Sequence, residues 1–308
     1  MRESILNLEK LIIRTPLIPF CNTYFDIGSR IFLKPENLQI FGSYKIRGIV
    51  SVLKEIEPHI LQKGLCVASA GNMAQAVAFS AQELNIPSRI YVPEAAPQTK
   101  LMAIQKLGAE IIRMHYEDVW KIVRGDIKLP DDRIFIHPAL NQSLLNGYSK
   151  IADEIIDEMP DIDAIVIPFG VGGLSLGIGN RIQQRNPHIA IYTCEPETAS
   201  PLKSSLQLTK PISIDRKPSF VDAIGTPEVL PQVFHQIASL VKDSLVISLN
   251  DIKHVLKSLY FNHKLVCEGA AGCSLAAAIQ LAKLGSYQKI VCILSGGNID
   301  DAVLKQFL

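Results

Sequence analysis

Short runs of β-branched and other apolar residues alternate with longer helical patterns along this chain of 308 residues. In the first half, strand-like runs at 65–69, 88–92 and 109–114 are separated by helical patterns at 72–84 and 98–107. Strands that alternate with helices form parallel sheets, because each helix returns the chain to the same edge of the sheet. The alternation therefore predicts an α/β fold.

A second series of the same kind follows, with a helical pattern at 141–159 and strand-like runs at 134–137, 163–168, 189–194, 244–248 and 289–295. Because a single hydrophobic core stops growing at roughly 250–300 residues, we predict two lobes, each with a mostly parallel sheet covered by helices. The stretch 203–227 has the weakest regular pattern, and we predict a flap or an ordered loop there.

Charge and hydropathy limit the class of partner. The 31 basic and 30 acidic residues are intermixed and give a formal net charge of +1, so no basic face for nucleic acid or anionic lipid is predicted. The apolar run 164–179 is too short for a membrane span, which needs about 20 residues, and acidic residues near the start argue against a signal peptide. We expect a cytoplasmic protein with a small-molecule partner.

The cysteines and histidines do not predict a metal site. CxxC pairs and HExxH spacings are patterns typical of zinc ligands. None of the six cysteines forms a CxxC pair, and the seven histidines show no HExxH spacing. Cys66, Cys194 and Cys292 lie in apolar runs, where we expect buried, reduced thiols.

A glycine-rich turn follows the strand-like run 163–168. Gly170, Val171, Gly172 and Gly173 precede a helical pattern, and closely spaced glycines let backbone N–H groups approach an anion at a helix N-terminus. We interpret the turn as a phosphate cradle; the alternative is that the glycines serve only the tight turn.

Two other motifs overlap this turn. Gly170, Gly172 and Ser175 form a degraded dinucleotide fingerprint, with Glu195 at the end of the next strand as the acid that would bind a ribose. The segment 173–177 also matches the G-x-S-x-G pattern of serine hydrolases. That pattern needs its serine on the turn itself, whereas Ser175 is expected inside the helix.

Two further turns come after strands that are predicted to be parallel, where ligands of such sheets bind. Ser69 and Asn72 flank the first turn and offer groups that suit a carboxylate or a phenolic oxygen, although either could simply cap a helix. Ser295 begins the second turn, ahead of Gly296 and Gly297, and its hydroxyl could face a ring nitrogen unless this is an ordinary turn.

Lys45 lies in the segment Gly42-Ser-Tyr-Lys45, near a predicted helix start. Most lysines near a helix start are solvated charges. Helix N-termini disfavour cations, however, and an amine near positive potential is suited to forming an imine. Lys45 is therefore a candidate for covalent chemistry.

These motifs occur in an order that resembles the fold-type II pyridoxal-phosphate enzymes of the serine/threonine dehydratase (ammonia-lyase) group, whose fold is like that of the tryptophan synthase β subunit. The matching segments are Arg14-Thr-Pro-Leu17, Lys34-Pro-Glu-Asn-Leu-Gln39, Gly42-Ser-Tyr-Lys-Ile-Arg-Gly48, Ser69-Ala-Gly-Asn72, the glycine turn, Glu195-Pro196, Glu268-Gly-Ala270 and Leu294-Ser-Gly-Gly-Asn-Ile-Asp300. Together they cover most of the chain.

The resemblance implies a pyridoxal 5'-phosphate cofactor bound as an imine to Lys45. Its ring hydroxyl would bind Asn72 and its pyridine nitrogen would meet Ser295. The backbone amides implied to hold its phosphate are those of Gly170, Val171, Gly172, Gly173 and Leu174. The residues implied to hold the substrate carboxylate are Ser69, Ala70, Gly71, Asn72 and Met73.

The reaction implied is β-elimination from a small 3-hydroxy amino acid such as L-threonine or L-serine, which yields a 2-oxo acid and ammonia. A β-replacement synthase, an amino-acid racemase and a nicotinamide-binding protein remain alternatives. Racemases of this group carry a second serine where this chain has Ala70. The resemblance also implies a homodimer, a large cofactor-binding domain formed by 1–45 and 146–308, and a small substrate-side domain formed by 46–145.

Departures from the family pattern cluster around the substrate. Tyr44 replaces the usual Phe, Met73 the usual His, and Val171 interrupts an all-glycine turn. The family's divalent-cation site would use Glu195, but Pro201 stands where a second acid is expected, so no metal is predicted. With eight residues after Asp300, no appended regulatory domain is expected.

Overall fold

The computed structural model describes residues 1–21 and 30–306, which divide into two compact units. Unit 1 consists of Met1–Ile13 and Gln39–Gly147, and unit 2 consists of Arg14–Leu38 and Tyr148–Leu308. Each unit has its own sheet and its own helices.

The helices are, in chain order, α1 Arg2–Lys10, α2 Lys45–Glu55, α3 Pro58–Leu61, α4 Asn72–Glu83, α5 Gln98–Lys106, α6 Tyr116–Arg124, α7 Gln142–Glu158, α8 Gly173–Arg185, α9 Pro201–Leu208, α10 Pro231–Leu240, α11 Leu249–His263, α12 Gly269–Lys283 and α13 Asp301–Lys305. The strands are β1 Ile18–Pro19, β2 Arg30–Lys34, β3 Leu65–Ala68, β4 Ser88–Pro93, β5 Glu110–Met114, β6 Ile134–Phe135, β7 Ala164–Pro168, β8 Ala190–Pro196, β9 Asp243–Ile247 and β10 Lys289–Ile293. Two short 3-10 helices cover Glu36–Leu38 and Ile40–Gly42.

Unit 1 contains a four-stranded sheet in the order β5-β4-β3-β6, and all of its pairs are parallel. Helix α4 packs against β3 and β4, and its first ten residues are all buried. Small residues and one aromatic ring fill this helix, so it can lie close to the sheet. The parallel arrangement predicted from the alternating pattern is confirmed.

Unit 2 contains a six-stranded sheet in the order β1-β2-β10-β7-β8-β9. Only the short β1 pairs antiparallel among these described strands; the remaining pairs are parallel. Helix α12 is built mainly of alanine, glycine and leucine, is buried over most of its length and packs against the sheet. The predicted α/β fold, with two helix-covered and mostly parallel sheets, is confirmed.

The start of the chain, Met1–Ile13, belongs to unit 1. The reason is a set of hydrogen bonds to the backbone of Ile13. Gln39 accepts its N–H at 2.9 Å and donates to its carbonyl at 2.6 Å, and Arg47 donates to the same carbonyl at 2.8 Å. These contacts join segments that are 26 and 34 residues apart, which local patterns do not reveal.

The stretch 203–227 is only partly irregular. Its first six residues belong to α9, and an isolated bridge pairs Ser213 with Glu228 further along. Pro201 occupies the first turn of α9, where its missing N–H costs nothing and its fixed φ favours a helix. The residues after α9 form an ordered loop, 209–230, that is closed by this bridge.

None of the helices in residues 1–21 and 30–306 is long and apolar enough to cross a membrane.

Candidate functional site

In unit 1, Lys45 is the first residue of α2 and is partly exposed. Its ammonium nitrogen lies 4.6 Å from the centre of the Tyr44 ring. The first turn of α2 carries no acidic residue, so the positive end of the helix dipole is not offset there. Lys45 therefore lies over an aromatic ring, at a helix start whose first turn contains no acidic residue.

The turn that leads into Lys45 has an unusual backbone. Phe41 has a φ of 57° and Gly42 a φ of 68°, and positive φ is uncommon for a residue with a side chain. The Phe41 ring packs on Phe79 of α4, with centroids 4.5 Å apart. This contact fixes the approach of the chain to Lys45.

Gly147 also supports the position of α2, and the sequence patterns did not identify it. A Cβ at Gly147 would lie 2.3 Å from the carbonyl oxygen of Arg47 and 2.7 Å from the Cα of Gly48. Only glycine lets α7 approach α2 this closely, two to three residues after Lys45. An isolated glycine inside a helical pattern is the signal that could have indicated a close packing contact.

The turn between β3 and α4 carries the five residues predicted to bind a substrate carboxylate. Ser69, Ala70 and Gly71 are partly exposed, whereas Asn72 and Met73 are buried. The Ser69 hydroxyl accepts the N–H of Gly71 at 3.3 Å, and no side chain caps α4 at Gly71. Ser69 therefore does not cap α4 in this structure.

The space in front of this turn is open. A Cβ at Gly71 would meet no atom within 4 Å, so packing does not require glycine there. Because α2 packs on α4 within unit 1, Lys45 and Asn72 are the first residues of two adjacent helices.

His137 comes after β6, which is the strand beside β3. Its Nδ1 accepts the N–H groups of Ala139 and Leu140 at 3.0 and 2.9 Å, and its Nε2 lies 2.9 Å from the carbonyl oxygen of Val123. Burial lowers the pKa of His137 below its usual 6.5, against the opposing effect of the Val123 carbonyl. A neutral imidazole that carries its proton on Nε2 therefore holds this loop, a role that the sequence patterns did not indicate.

In unit 2, the glycine turn connects β7 to α8. Gly172 precedes α8 with a φ of 100° and offers no side-chain cap. A Cβ there would lie 2.5 Å from Cγ1 of Val233, so both backbone conformation and packing require glycine. This requirement supports the tight-turn interpretation for Gly172, and it also fixes the direction of the neighbouring amides.

The backbone amides of this turn have no internal partners. None of the N–H groups from Gly170 to Leu174 has a hydrogen-bond acceptor among the described residues. Partly buried N–H groups without an acceptor are costly, and five consecutive ones at a helix N-terminus are suited to an anion such as phosphate. The phosphate of pyridoxal phosphate fits this turn.

Ser295 comes after β10, which pairs in parallel with β7. The two strand ends therefore lie side by side, and the register places Ser295 next to the start of the glycine turn. Its side chain is 4% exposed. A serine hydroxyl both donates and accepts hydrogen bonds, so it suits a polar ligand atom at this strand end.

The two rival motifs at this turn are not supported by the geometry. Ser175 is the third residue of α8 and is fully buried, so it is not exposed on a turn as the hydrolase pattern requires. Glu195 is also buried, and its carboxylate accepts backbone N–H groups of the protein, so it is not directed at a ribose.

Those groups surround both carboxylate oxygens of Glu195. One oxygen accepts the N–H of Leu202 at 2.8 Å, and the other accepts the N–H of Lys203 at 2.8 Å and the hydroxyl of Ser244 at 2.7 Å. Burial raises the pKa of Glu195 to about 7, while these hydrogen bonds and Lys203 act in the opposite direction. Hydrogen-bond donors and an ammonium group do not fit a divalent cation, which needs oxygen ligands.

Comparison with known proteins agrees with this chemistry. Residues 8–296 match the family model described as pyridoxal-phosphate dependent enzyme. An L-threonine ammonia-lyase from Geobacter sulfurreducens is 33% identical over 304 residues, which are 97% of this chain and 75% of that protein.

Solved structures give the same result. The processed form of threonine deaminase isoform 2 from Solanum lycopersicum superposes with a TM-score of 0.86 at 25% identity, covering 99% of this chain and 91% of that one. Maize serine racemase has a TM-score of 0.86 at 28% identity and covers 99% and 95%. With its matching sheets, its unpartnered amides and this coverage, the chain belongs to the pyridoxal-phosphate-dependent enzymes, in their fold-type II group.

Proposed function

We propose that this protein is a pyridoxal-phosphate-dependent ammonia-lyase that eliminates the β-hydroxyl group of a small 3-hydroxy amino acid such as L-threonine or L-serine. The products are a 2-oxo acid and ammonia. The observation that carries the proposal is the set of five backbone amides without acceptors, within the described residues, from Gly170 to Leu174. The relative from Geobacter sulfurreducens supports the reaction type.

In the proposal, the amides from Gly170 to Leu174 bind the cofactor phosphate, and Lys45 is the point of covalent attachment. When bound, pyridoxal phosphate withdraws electrons from the substrate α-carbon, which makes the α-proton acidic. The Ser295 hydroxyl faces the ring nitrogen. Because a serine is neutral, it does not hold a proton on that nitrogen, which favours elimination over transamination. Asn72 binds the ring hydroxyl.

The turn from Ser69 to Met73 binds the substrate carboxylate and so fixes the orientation of the α-carbon. Once free of the cofactor, the amine of Lys45 would accept the α-proton. The C–O bond at the β-carbon would break as hydroxide leaves, and hydrolysis of the C–N bond of the dehydrated product would then give the 2-oxo acid and ammonia. The position of Lys45 at the start of α2 supports this role, because the positive end of the helix dipole disfavours an ammonium and the amine must be unprotonated to act as a base.

The alternatives differ in the step after the loss of the hydroxyl group. A β-replacement synthase would add a second nucleophile, and the same residues would serve it equally well. A racemase needs an acid on the opposite face of the α-carbon, and Ala70 offers no hydroxyl there. Nicotinamide binding would need Glu195 for a ribose, and that carboxylate already has three donors.

The cofactor assignment is tested by purifying the protein, recording its visible absorption, and trapping the cofactor with borohydride for peptide mapping. We expect a yellow protein with the label on Lys45. Lys45→Ala should bind the cofactor without turnover, and Ser295→Ala should retain covalent attachment but lose rate. A colourless protein, or label on another lysine, would refute the assignment.

The reaction is tested with a panel of hydroxy amino acids, measuring 2-oxo acid and ammonia together. Equal amounts of both products from L-threonine or L-serine support the lyase. If no 2-oxo acid forms while an added thiol or amine is consumed, the protein is a β-replacement synthase. Formation of the D-enantiomer would indicate a racemase.

The family resemblance also underlies three further parts of the proposal: a homodimer, a cytoplasmic location, and a division into a large cofactor-binding and a small substrate-side domain. Sedimentation of the purified protein tests the first, and imaging of a tagged chain in its cell tests the second. The third is tested by whether a variant of Ser69, in the small domain, alters the KM for substrate while a variant of Gly172, in the large domain, alters the affinity for cofactor.

A further inference from the structure

Glu195 occupies the end of β8 and is 1% exposed. Its carboxylate has no role in the proposed reaction, yet it receives hydrogen bonds from two backbone N–H groups and one hydroxyl. Burying a carboxylate is costly unless several donors satisfy it. The buried Glu195 carboxylate lies next to α9, and its donors indicate a structural role there.

The two backbone donors, Leu202 and Lys203, belong to the first turn of α9. Ser200, which precedes the helix, makes no side-chain cap. Glu195 thus takes the place of an N-terminal cap from a neighbouring strand, and its negative charge is favourable at the positive end of the helix dipole. The ammonium of Lys203 is paired with Asp243 at 2.7 Å.

The link between β8 and α9 contacts the ordered loop 209–230. The carbonyl of Thr198 accepts the N–H of Lys217 at 2.9 Å. A Cβ at Gly225 would lie 3.4 Å from Cβ of Ala199, so the loop passes directly over this link. A shift of the start of α9 would therefore move the loop.

The same loop contacts the glycine turn. The Thr226 hydroxyl lies 3.4 Å from the carbonyl oxygen of Gly170 and 3.1 Å from that of Glu228. A Cβ at Gly170 would be 3.4 Å from Cγ2 of Ile224 and 3.5 Å from the carbonyl oxygen of Ala223. The loop thus supports the turn on the side of Gly170, all within unit 2.

We propose that Glu195 is a positioning residue that holds the glycine turn in its phosphate-binding conformation, through α9 and loop 209–230, without a metal ion. The inference rests on the proposed function, because it assumes that the turn binds the cofactor phosphate. In this proposal, the N–H and hydroxyl donors of the chain satisfy the Glu195 carboxylate. The alternative is that a divalent cation, as in the family, binds Glu195 and supports the turn.

The test compares two ligands that differ only in the phosphate: pyridoxal 5'-phosphate and pyridoxal. Their dissociation constants are measured by absorption for wild type, Glu195→Gln, Glu195→Asp and Thr226→Val. Gln keeps the size of the side chain but turns an NH2 group toward N–H donors. We expect Glu195→Gln to weaken pyridoxal phosphate about tenfold or more, with pyridoxal changed less than about twofold.

Glu195→Asp keeps the charge and should recover part of the affinity for pyridoxal phosphate. Thr226→Val removes the hydroxyl near Gly170 and tests the pathway without altering Glu195, so it remains informative if the Glu195 variants do not fold. We expect a weakening of about threefold for the phosphorylated ligand only. Leu259→Ala, a fully buried change in α11, is the control for a general loss of stability.

Equal weakening of both ligands by Glu195→Gln, or selective weakening of the phosphorylated ligand by Leu259→Ala, would overturn the inference. The inference would also be overturned if a chelator lowered the affinity of wild type for pyridoxal phosphate and added magnesium or calcium restored it. These outcomes differ from failure of the proposed function, in which wild type itself binds no pyridoxal phosphate. Unchanged affinity in chelator, together with a selective effect of Glu195→Gln, supports the inference.

Discussion

The turn after β3 in unit 1 and the turn after β7 in unit 2 both join a parallel strand to a helix, but they are built differently. The second is packed by surrounding side chains and has a residue at positive φ, Gly172. The first has open space at Gly71, and its Ser69 hydroxyl makes a bond within the turn. One turn is defined by its backbone and the other by its side chains.

Under the proposed function, this difference accounts for where the sequence departs from the family pattern. A turn that binds through backbone amides tolerates a change such as Val171, because every residue supplies an N–H group. A turn that binds through side chains changes its ligand when they change, as with Met73. We therefore expect the cofactor to be shared with the family and the preference among small hydroxy amino acids to be particular to this protein.

The largest effect is expected from alanine at the two turn glycines. Gly172→Ala places a Cβ 2.5 Å from Val233 at a φ of 100°, and we expect a loss of about 2–4 kcal/mol in the free energy of unfolding. Affinity for pyridoxal phosphate should fall on the order of a hundredfold. Gly71→Ala meets no atom within 4 Å and should change stability by less than about 1 kcal/mol.

Urea unfolding and cofactor titration measure both effects. The double variant Gly172→Ala with Val233→Ala relieves the collision but keeps the backbone strain, so it should recover only part of the loss. Similar losses from Gly172→Ala and Gly71→Ala would mean that the two turns are not built differently.

Acid should affect the two units in opposite directions. The pKa of Glu195 in unit 2 is raised from 4.5 to about 7, so the folded state holds this proton more tightly and gains up to about 3 kcal/mol as the pH falls from 7 to 4.5. The pKa of His137 in unit 1 is lowered below 6.5. Its contribution is present above pH 6.5 and is lost as the pH falls below that value.

The single tryptophan, Trp120, lies in α6 of unit 1, so its fluorescence during urea unfolding reports on that unit. Hydrogen exchange at β8 and α9, corrected for the intrinsic rate, reports on unit 2. Relative to Glu195→Gln, wild type should gain protection there as the pH falls from about 8 to about 5.5. Relative to His137→Asn, unit 1 should lose stability over the same interval.

A smaller effect is expected at Ser69. Ser69→Ala removes the acceptor for the N–H of Gly71 and leaves the packing of α4 unchanged. One lost hydrogen bond of this kind corresponds to roughly 0.5–1.5 kcal/mol. The KM for the hydroxy amino acid should rise about threefold to tenfold, with the dissociation constant of the cofactor unchanged. A change in cofactor affinity alone would contradict the substrate role of this turn.

The smallest effect is expected for Val171→Gly, which restores the uninterrupted glycine turn of the family. The backbone amide of residue 171 remains, so affinity for pyridoxal phosphate should change less than about twofold. The folded state should lose about 0.4–1 kcal/mol, because glycine has more freedom in the unfolded chain. A large change in affinity would show that the Val171 side chain contributes to binding.

Sequence patterns predicted the strands and helices that are specified locally. The runs that became β3, β4 and β7 are dense in apolar and β-branched residues, and α4 and α12 are dense in small residues. The start of α9 was missed because its cap, Glu195, comes from a strand and lies six residues before the helix. The place of residues 1–13 in unit 1 depends on Gln39 and Arg47, which contact Ile13 from 26 and 34 residues away.

The residues of the candidate site also divide into those marked by local sequence and those defined by distant contacts. Lys45, Ser295 and the turn glycines are distinguished by residue type at strand or helix ends, so the sequence identified them as candidates. Gly147 acts through packing, and its one local signal is an isolated glycine in a helical pattern. His137 acts through the loop that it holds, and nothing in its local pattern separates it from an ordinary histidine. Only the crossing of α7 over α2 and the two partners of the imidazole reveal what they do.

The sheet of unit 2 brings together segments from distant parts of the chain: β2, within the first 34 residues, pairs with β10 at Lys289–Ile293. During synthesis the ribosome delivers every residue of unit 1 by Gly147, so that unit can fold while translation continues. Strand β2 must wait for β10, which is synthesised near the other end of the chain. Long waits of this kind leave strand edges unpaired, so β2 and β7 each keep one open edge until β10 has been made.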